Sequence, residues 1–328
     1  MSVQSCKADK ACGGVLNLPH RAETGLTTGN VMKIGTAEPN STFLTQGLAL
    51  AKVFEAAGIR GPIEVTEARS ASIENAESLA AGRIDYGFMA ANWIGRAMRG
   101  EKPFTAPTEL RMVAPMNLGP MFFIVPMGSD IRTVEDLRGK RVSVGPATSG
   151  TAQHAHCIFG ALGIGFDAFT PLYMDFASGG EALRRGEIDA QLQCPIPNPV
   201  MRALDASFDL RVLDFAPGGL EKVVAAHPVY GCAIMRKGQL RGLTADSRQP
   251  GVRNVLVTHA RQSAAEVEAV VRAIVGGAGE LERLNALFTG IGELWQPLRK
   301  AGAAALSFEG VPLHEGAVAA YRGLGLLA

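Results

Sequence analysis

Two stretches of this chain, one in each half, follow a single plan, and that repeat limits the fold more than any other feature. The first copy opens with a short apolar strand at residues 31–34. A loop led by Gly35 follows, carrying Thr36, Asn40, Ser41, Thr42 and Phe43, and then a helical segment that stops near Gly58. The second opens with a strand at residues 141–144 and a loop led by Gly145 that carries Thr148, Ser149, Gly150 and Thr151, and its helical segment stops near Gly163. Glycine just past the last turn of a helix is the expected stop, because it takes the left-handed conformation without a Cβ clash.

Each copy continues through an extended stretch, residues 63–66 and 171–174, into a helix led by a serine. Ser72 and Ser178 are the N-cap candidates, and Ser178 with Glu181 has capping-box spacing. These helices end in matching phrases, with Leu79, Gly82, Ile84 and Asp85 in one and Leu183, Gly186, Ile188 and Asp189 in the other. An apolar strand follows each. Strand, loop, helix, strand, helix, strand is the grammar of a βαβαβ unit. Two such units predict an α/β protein of two lobes, each a mostly parallel sheet flanked by helices.

Residues 111–127 hold two apolar runs around Asn117 and Pro120, long enough to leave one sheet and enter the other, and are expected to form a hinge crossing. Residues 227–235 and 252–258 offer extended segments for the return. From Ser263 onward Val267, Val270, Val271 and Ile274 recur at helical spacing. The expected organisation is a disordered or loosely attached tail at 1–30, lobe one from 31–118 plus 252–328, and lobe two from 119–251. The tail has charges at Lys7, Asp9, Lys10, Arg21 and Glu23 and no long apolar core, so it does not read as a signal peptide.

Bulk properties narrow the function. The chain has 328 residues, enough for two lobes, and a formal net charge of +1, so no overall field recruits nucleic acid or an anionic membrane. No run of about 18 uncharged apolar residues is present, so the chain is not expected to insert in a membrane. Five cysteines (Cys6, Cys12, Cys157, Cys194, Cys232) are scattered without a C-x-x-C pair. His154 and Cys157 share a helix face, yet nothing near them in sequence completes a metal shell. Phosphate-loop and nucleophile-elbow motifs are absent, and Gly163 and Gly165 follow a helix rather than a strand. No catalytic residue, metal or cofactor is expected.

In open α/β sheets ligands bind beyond the carboxyl ends of the strands, where loops meet helix N-termini. Both repeats place polar loops there, and unsatisfied N–H groups at two facing helix starts favour an anion, a carboxylate or a phosphate. Serine, threonine and asparagine are also ordinary caps, and the repetition of the loops is what points to a shared cleft. Arg69, beside Ser70 and Ser72, is a candidate carboxylate clamp or a surface arginine. Asn92 with Trp93, and Pro195 with Asn198, belong to the remaining loops expected to face the cleft. Trp93 and Phe43 are candidates for stacking or for core.

These residues carry a family resemblance. K-I-G-T at 33–36, S-I-E-N-A-E-S-L-A-A-G-R-I-D at 72–85, V-E-D-L-R-G-K-R-V-S-V-G-P-A-T-S-G-T at 134–151 and V-P-L-H-E-G-A-V-A-A-Y-R-G-L-G at 311–325 resemble the TAXI-type solute-binding proteins of tripartite ATP-independent periplasmic (TRAP) transporters. The resemblance implies a type II periplasmic binding protein fold, a periplasmic location, and capture of a small carboxylate for TRAP membrane permease subunits, with no catalysis. The residues by themselves leave open a cytoplasmic enzyme on the same fold, or the sensory half of a regulator.

Overall fold

The computed structural model describes residues 31–328 except 40, 60, 148, 194–197 and 228. The first repeat is β1 (Met32–Gly35), α1 (Thr42–Ala56), β2 (Ile63–Thr66), α2 (Ser72–Ala80), β3 (Tyr86–Ala90) and α3 (Ala91–Arg99). Two strands lead across, β4 (Leu110–Pro120) and β5 (Phe122–Pro126). The second repeat is β6 (Arg141–Ser143), α4 (Gly150–Ala161), β7 (Thr170–Leu172), α5 (Phe176–Arg184) and β8 (Ala190–Gln193), extended by α6 (Pro199–Ser207), β9 (Leu210–Val212) and α7 (Gly219–Ala226). A hairpin of β10 (Tyr230–Met235) and β11 (Ser247–His259) leads back to α8 (Ala264–Gly276), α9 (Ala278–Leu284), α10 (Leu298–Ala301) and α11 (Glu315–Gly323).

The matching phrases at the ends of α2 and α5 have a physical basis. Gly82 and Gly186 turn the chain at φ 68° and 72°. Ile84 and Ile188 are buried. The aspartate that follows ties the turn to the first strand of its own unit. Asp85 Oδ2 accepts from the Lys33 N–H at 2.8 Å, and Asp189 Oδ2 accepts from the Arg141 N–H at 2.7 Å.

Both serine caps of the second helices are corrected. α2 enters through Ala71 at φ 42°, and Ser72 lies inside the first turn, where its Oγ accepts from the Ala90 N–H at 3.0 Å. α5 starts earlier than its serine: Asp175 is the cap, accepting from the Ser178 N–H at 2.7 Å, and Glu181 pairs with Arg184 instead of closing a capping box. An ionised carboxylate is a stronger acceptor than a hydroxyl and takes the cap where both are in reach. Asn92 and Trp93 lie in the first turn of α3, which follows β3 without a loop.

One sheet runs β10-β11-β3-β1-β2 with β4 beside β11, and the other runs β7-β6-β8-β5-β9. A single strand in each, β11 and β5, runs against its neighbours. Both are strands that follow or make a passage between the sheets, so reversal marks where the chain crosses. β4 belongs to the first sheet and β5 to the second, with Met121 between them.

The core of the first sheet includes Leu50, Phe54, Tyr86 and Phe88, with Val267, Val270, Val271 and Ile274 of α8. The second sheet is buried on both faces, so β5 sends Phe123 and Val125 into one cluster and Phe122 and Ile124 into another. Among the described residues no helix is long and apolar enough to cross a membrane.

Candidate functional site

The first helix of each repeat ends against the space between the lobes, capped in the same way. Ser41 Oγ accepts from the Leu44 N–H at 3.1 Å, and Ser149 Oγ accepts from the Ala152 N–H at 3.2 Å. Both serines are in the extended conformation that an N-cap needs. A cavity of about 440 Å³ lies between these helix starts. Its lobe-one wall is Glu38, Thr42, Phe43, Arg69, Ser70, Ala71, Ser72, Ile73, Ala90 and Trp93. Pro146, Ser149, Gly150, Thr151 and His154 form the lobe-two wall, and Val252 and Asn254 of β11 complete the lining.

The cavity therefore unites most of the residues expected there. Thr42 and Phe43 come from α1, Arg69, Ser70 and Ser72 from the entry to α2, and Ser149, Gly150 and Thr151 from α4. Arg69 is exposed, and among the described residues no carboxylate lies within ion-pair distance of its guanidinium. Its backbone N–H donates to Glu74 Oε2 at 2.9 Å, which fixes the loop while leaving the side chain unpaired. Phe43 packs on Phe88, with ring centroids 5.5 Å apart, and lines the cavity. Trp93 packs against Phe104 and carries the Arg96 guanidinium over its ring, so it is both core and wall.

Asn92 reaches the opposite lobe, donating through Nδ2 to Gln153 Oε1 at 3.4 Å. Thr36 does not reach the cavity: it is fully buried and its hydroxyl donates to the Thr66 carbonyl at 2.7 Å. Asn198 caps α6, accepting from the Met201 N–H at 2.7 Å, and lines a separate cavity of about 220 Å³ with Arg202, Gln239 and Thr289. Asn40, Thr148 and Pro195 lie outside the described residues.

His154 and Asn254 are polar cavity residues that sequence reasoning did not place there. His154 lies in the second turn of α4, in the buried stripe of Ala155, Ile158 and Phe159, and its Nδ1 is 2.7 Å from the Tyr230 hydroxyl. Burial, with a smaller contribution from the His227 imidazole, pushes its pKa down to about 4. The ring is therefore neutral near pH 7. The stripe itself was the available signal, since a histidine within it must be buried. Nearby, the Cys157 carbonyl accepts from His227 Nε2 at 3.2 Å, and His156 stacks on Phe166. Among the described residues no three His, Cys, Asp or Glu side chains are placed to hold a metal ion.

A cleft between two α/β lobes, with a helix N-terminus from each directed at one cavity, defines the class as a two-lobed type II periplasmic binding protein fold. Solved structures of low identity share that fold. The periplasmic sulfonate-binding protein SsuA of a sulfonate ABC transporter from Methylobacillus flagellatus KT matches at 13% identity with a TM-score of 0.57, over 90% of this chain and 95% of that one. A TctC solute binding protein from Polaromonas matches at 13% identity and a TM-score of 0.53, over 80% of this chain and 87% of that one. The family model of the NMT1-like family matches residues 34–325, and the chain belongs to that family.

Proposed function

We propose that this chain is the extracytoplasmic solute-binding subunit of a TRAP transporter of the TAXI type. It holds a small organic carboxylate, an amino acid, oxo acid or dicarboxylate, between its lobes and hands it unaltered to membrane permease subunits in the periplasm. The observation that carries this reading is the pairing of two capped helix N-termini across one cavity beside the unpaired Arg69. Each helix start directs unsatisfied N–H groups and the positive end of its dipole into the gap, and an anion bridging them is favoured by both lobes at once. The lobes are residues 31–118 plus 252–328 and residues 119–251, except that β10 and the start of β11 within the latter stretch join the first sheet, and closure about Met121 and β11 brings Ser149 and Gly150 toward Arg69.

A thermal-shift screen against amino acids, 2-oxo acids, dicarboxylates and alkanesulfonates tests the reading, because a ligand that binds only the folded state raises the midpoint by mass action. The expected result is a carboxylate that shifts the midpoint, is recovered unchanged, and reduces the radius of gyration in small-angle scattering. A sulfonate hit alone would replace the ligand class. A hit that is consumed would establish an enzyme.

A further inference from the structure

We propose that His154 is the residue with which lobe two reads the solute: Tyr230 holds it as the Nε2–H tautomer, and it donates from the cavity wall to a solute oxygen. This rests on the solute-binding reading and assigns the chemistry of one wall of that same site.

His154 is 4% exposed and is among the residues that line the cavity. One ring nitrogen is engaged, Nδ1 with the Tyr230 hydroxyl at 2.7 Å, and Nε2 has no hydrogen-bond partner among the described residues. The direction of the Nδ1 bond decides what Nε2 offers. A phenol O–H is more acidic than a neutral imidazole N–H, and a bare imidazole nitrogen is a better acceptor than a phenol oxygen. The proton of the short bond therefore stays with Tyr230, Nδ1 accepts, and Nε2 carries the ring proton. His227 flanks Tyr230 from the other side, with ring centroids 5.4 Å apart, and its Nε2 donates to the Cys157 carbonyl, which has no proton to give. An imidazolium at His154 would be buried, so that ring stays neutral.

Helix α4 adds to this wall. Ser149 satisfies the Ala152 N–H and leaves the N–H groups of Gly150 and Thr151 without partners among the described residues. These two N–H groups and Nε2–H make a wall of donors. The solute group placed there must be an acceptor, as a carboxylate is, and an ammonium or other donor-only group is rejected.

Histidine ¹⁵N NMR on the full chain at pH 7 tests the tautomer without any ligand. The Nε2–H tautomer is expected at His154, and Tyr230→Phe is expected to remove the preference. An Nδ1–H tautomer or an imidazolium would overturn the proposal. The contact is tested with acetate, succinate, 2-oxoglutarate and L-glutamate as probes. A probe that raises the melting midpoint should shift the Nε2 resonance saturably, bind His154→Leu about tenfold more weakly, and recover most of that affinity in His154→Gln, which restores a donor. A probe that raises the midpoint while the Nε2 resonance stays fixed would remove His154 from the contact. If no probe raises the midpoint, the carboxylate reading of the cleft fails, and the spectrum of the free protein still decides the tautomer separately.

Discussion

The two lobes put a buried polar side chain at the same place in their cleft helices and use it differently. In lobe one Gln46, in the second turn of α1, donates through Nε2 to Asn117 Oδ1 of β4 at 3.3 Å and is fully buried. In lobe two His154, in the second turn of α4, bonds Tyr230 of β10 and borders the cavity. Each helix is braced against a strand near the crossing, and in lobe two the brace also borders the cavity. A second contrast lies behind the helices. Asn75 of α2 fills the space over Gly35 and Gly87, donating to the Thr36 and Phe88 carbonyls at 2.8 and 2.9 Å. In lobe two the amide comes from the strand instead: Gln191 donates to the Phe176 carbonyl at 3.0 Å, and Gly179 of α5 makes the room. The repeat conserves volume and hydrogen bonding at a position while letting the supplying element change.

The largest test of this contrast is pH. His154 has a pKa of about 4 when folded against 6.5 when free, so on acidification the unfolded state takes up a proton first. Its contribution to stability is complete above pH 6.5 and is lost as pH falls toward 4, a change of about 3 kcal/mol. Urea melts between pH 7 and 4 should lose that part of their slope in His154→Leu and keep it in Gln46→Leu. An equal effect in both would end the distinction between the two braces.

Removing the amides tests the second contrast. Asn75→Ala leaves two buried carbonyls without this donor, and Gln191→Ala leaves the Phe176 carbonyl without a donor and the Gln193 amide N–H without an acceptor, so each is expected to cost about 3 kcal/mol by the same denaturation assay. A clear difference between the two would show that the helix amide and the strand amide are not equivalent.

The caps should behave alike: Ser41→Ala and Ser149→Ala are each expected to destabilise by about 1 kcal/mol in thermal or urea melts. A difference well beyond that would break the equivalence of the two helix starts. The smallest effect is expected from Asn92→Ala, about 0.5 kcal/mol or less for a long neutral bond, with the loss appearing as a larger radius of the unliganded protein in small-angle scattering.

Much of the architecture was legible because its signals are local. Gly58, Gly82, Gly163 and Gly186 end helices wherever the chain places them, and all four have positive φ. Cap identity was less legible. Ser72 and Ser178 look like caps, but helix entry depends on which neighbouring acceptor wins, and Asp175 and the strained Ala71 settled it. The cavity was readable as polar loops and not as a list of contacts. Thr36 has the same chemistry as Thr42, yet Thr36 bonds the next strand and Thr42 faces the gap.

The repeated strand, loop and helix plan, the glycine stops and the apolar strands were determined by the sequence alone, since each depends on residues within a few positions of one another. Only the tertiary structure decided that Arg69 and Ser149 line the same cavity, that Asn198 lines a different one, and that a histidine on α4 meets a tyrosine on β10. Those relations depend on sheet order and on how the lobes face each other, and both are set by burial summed over the whole chain.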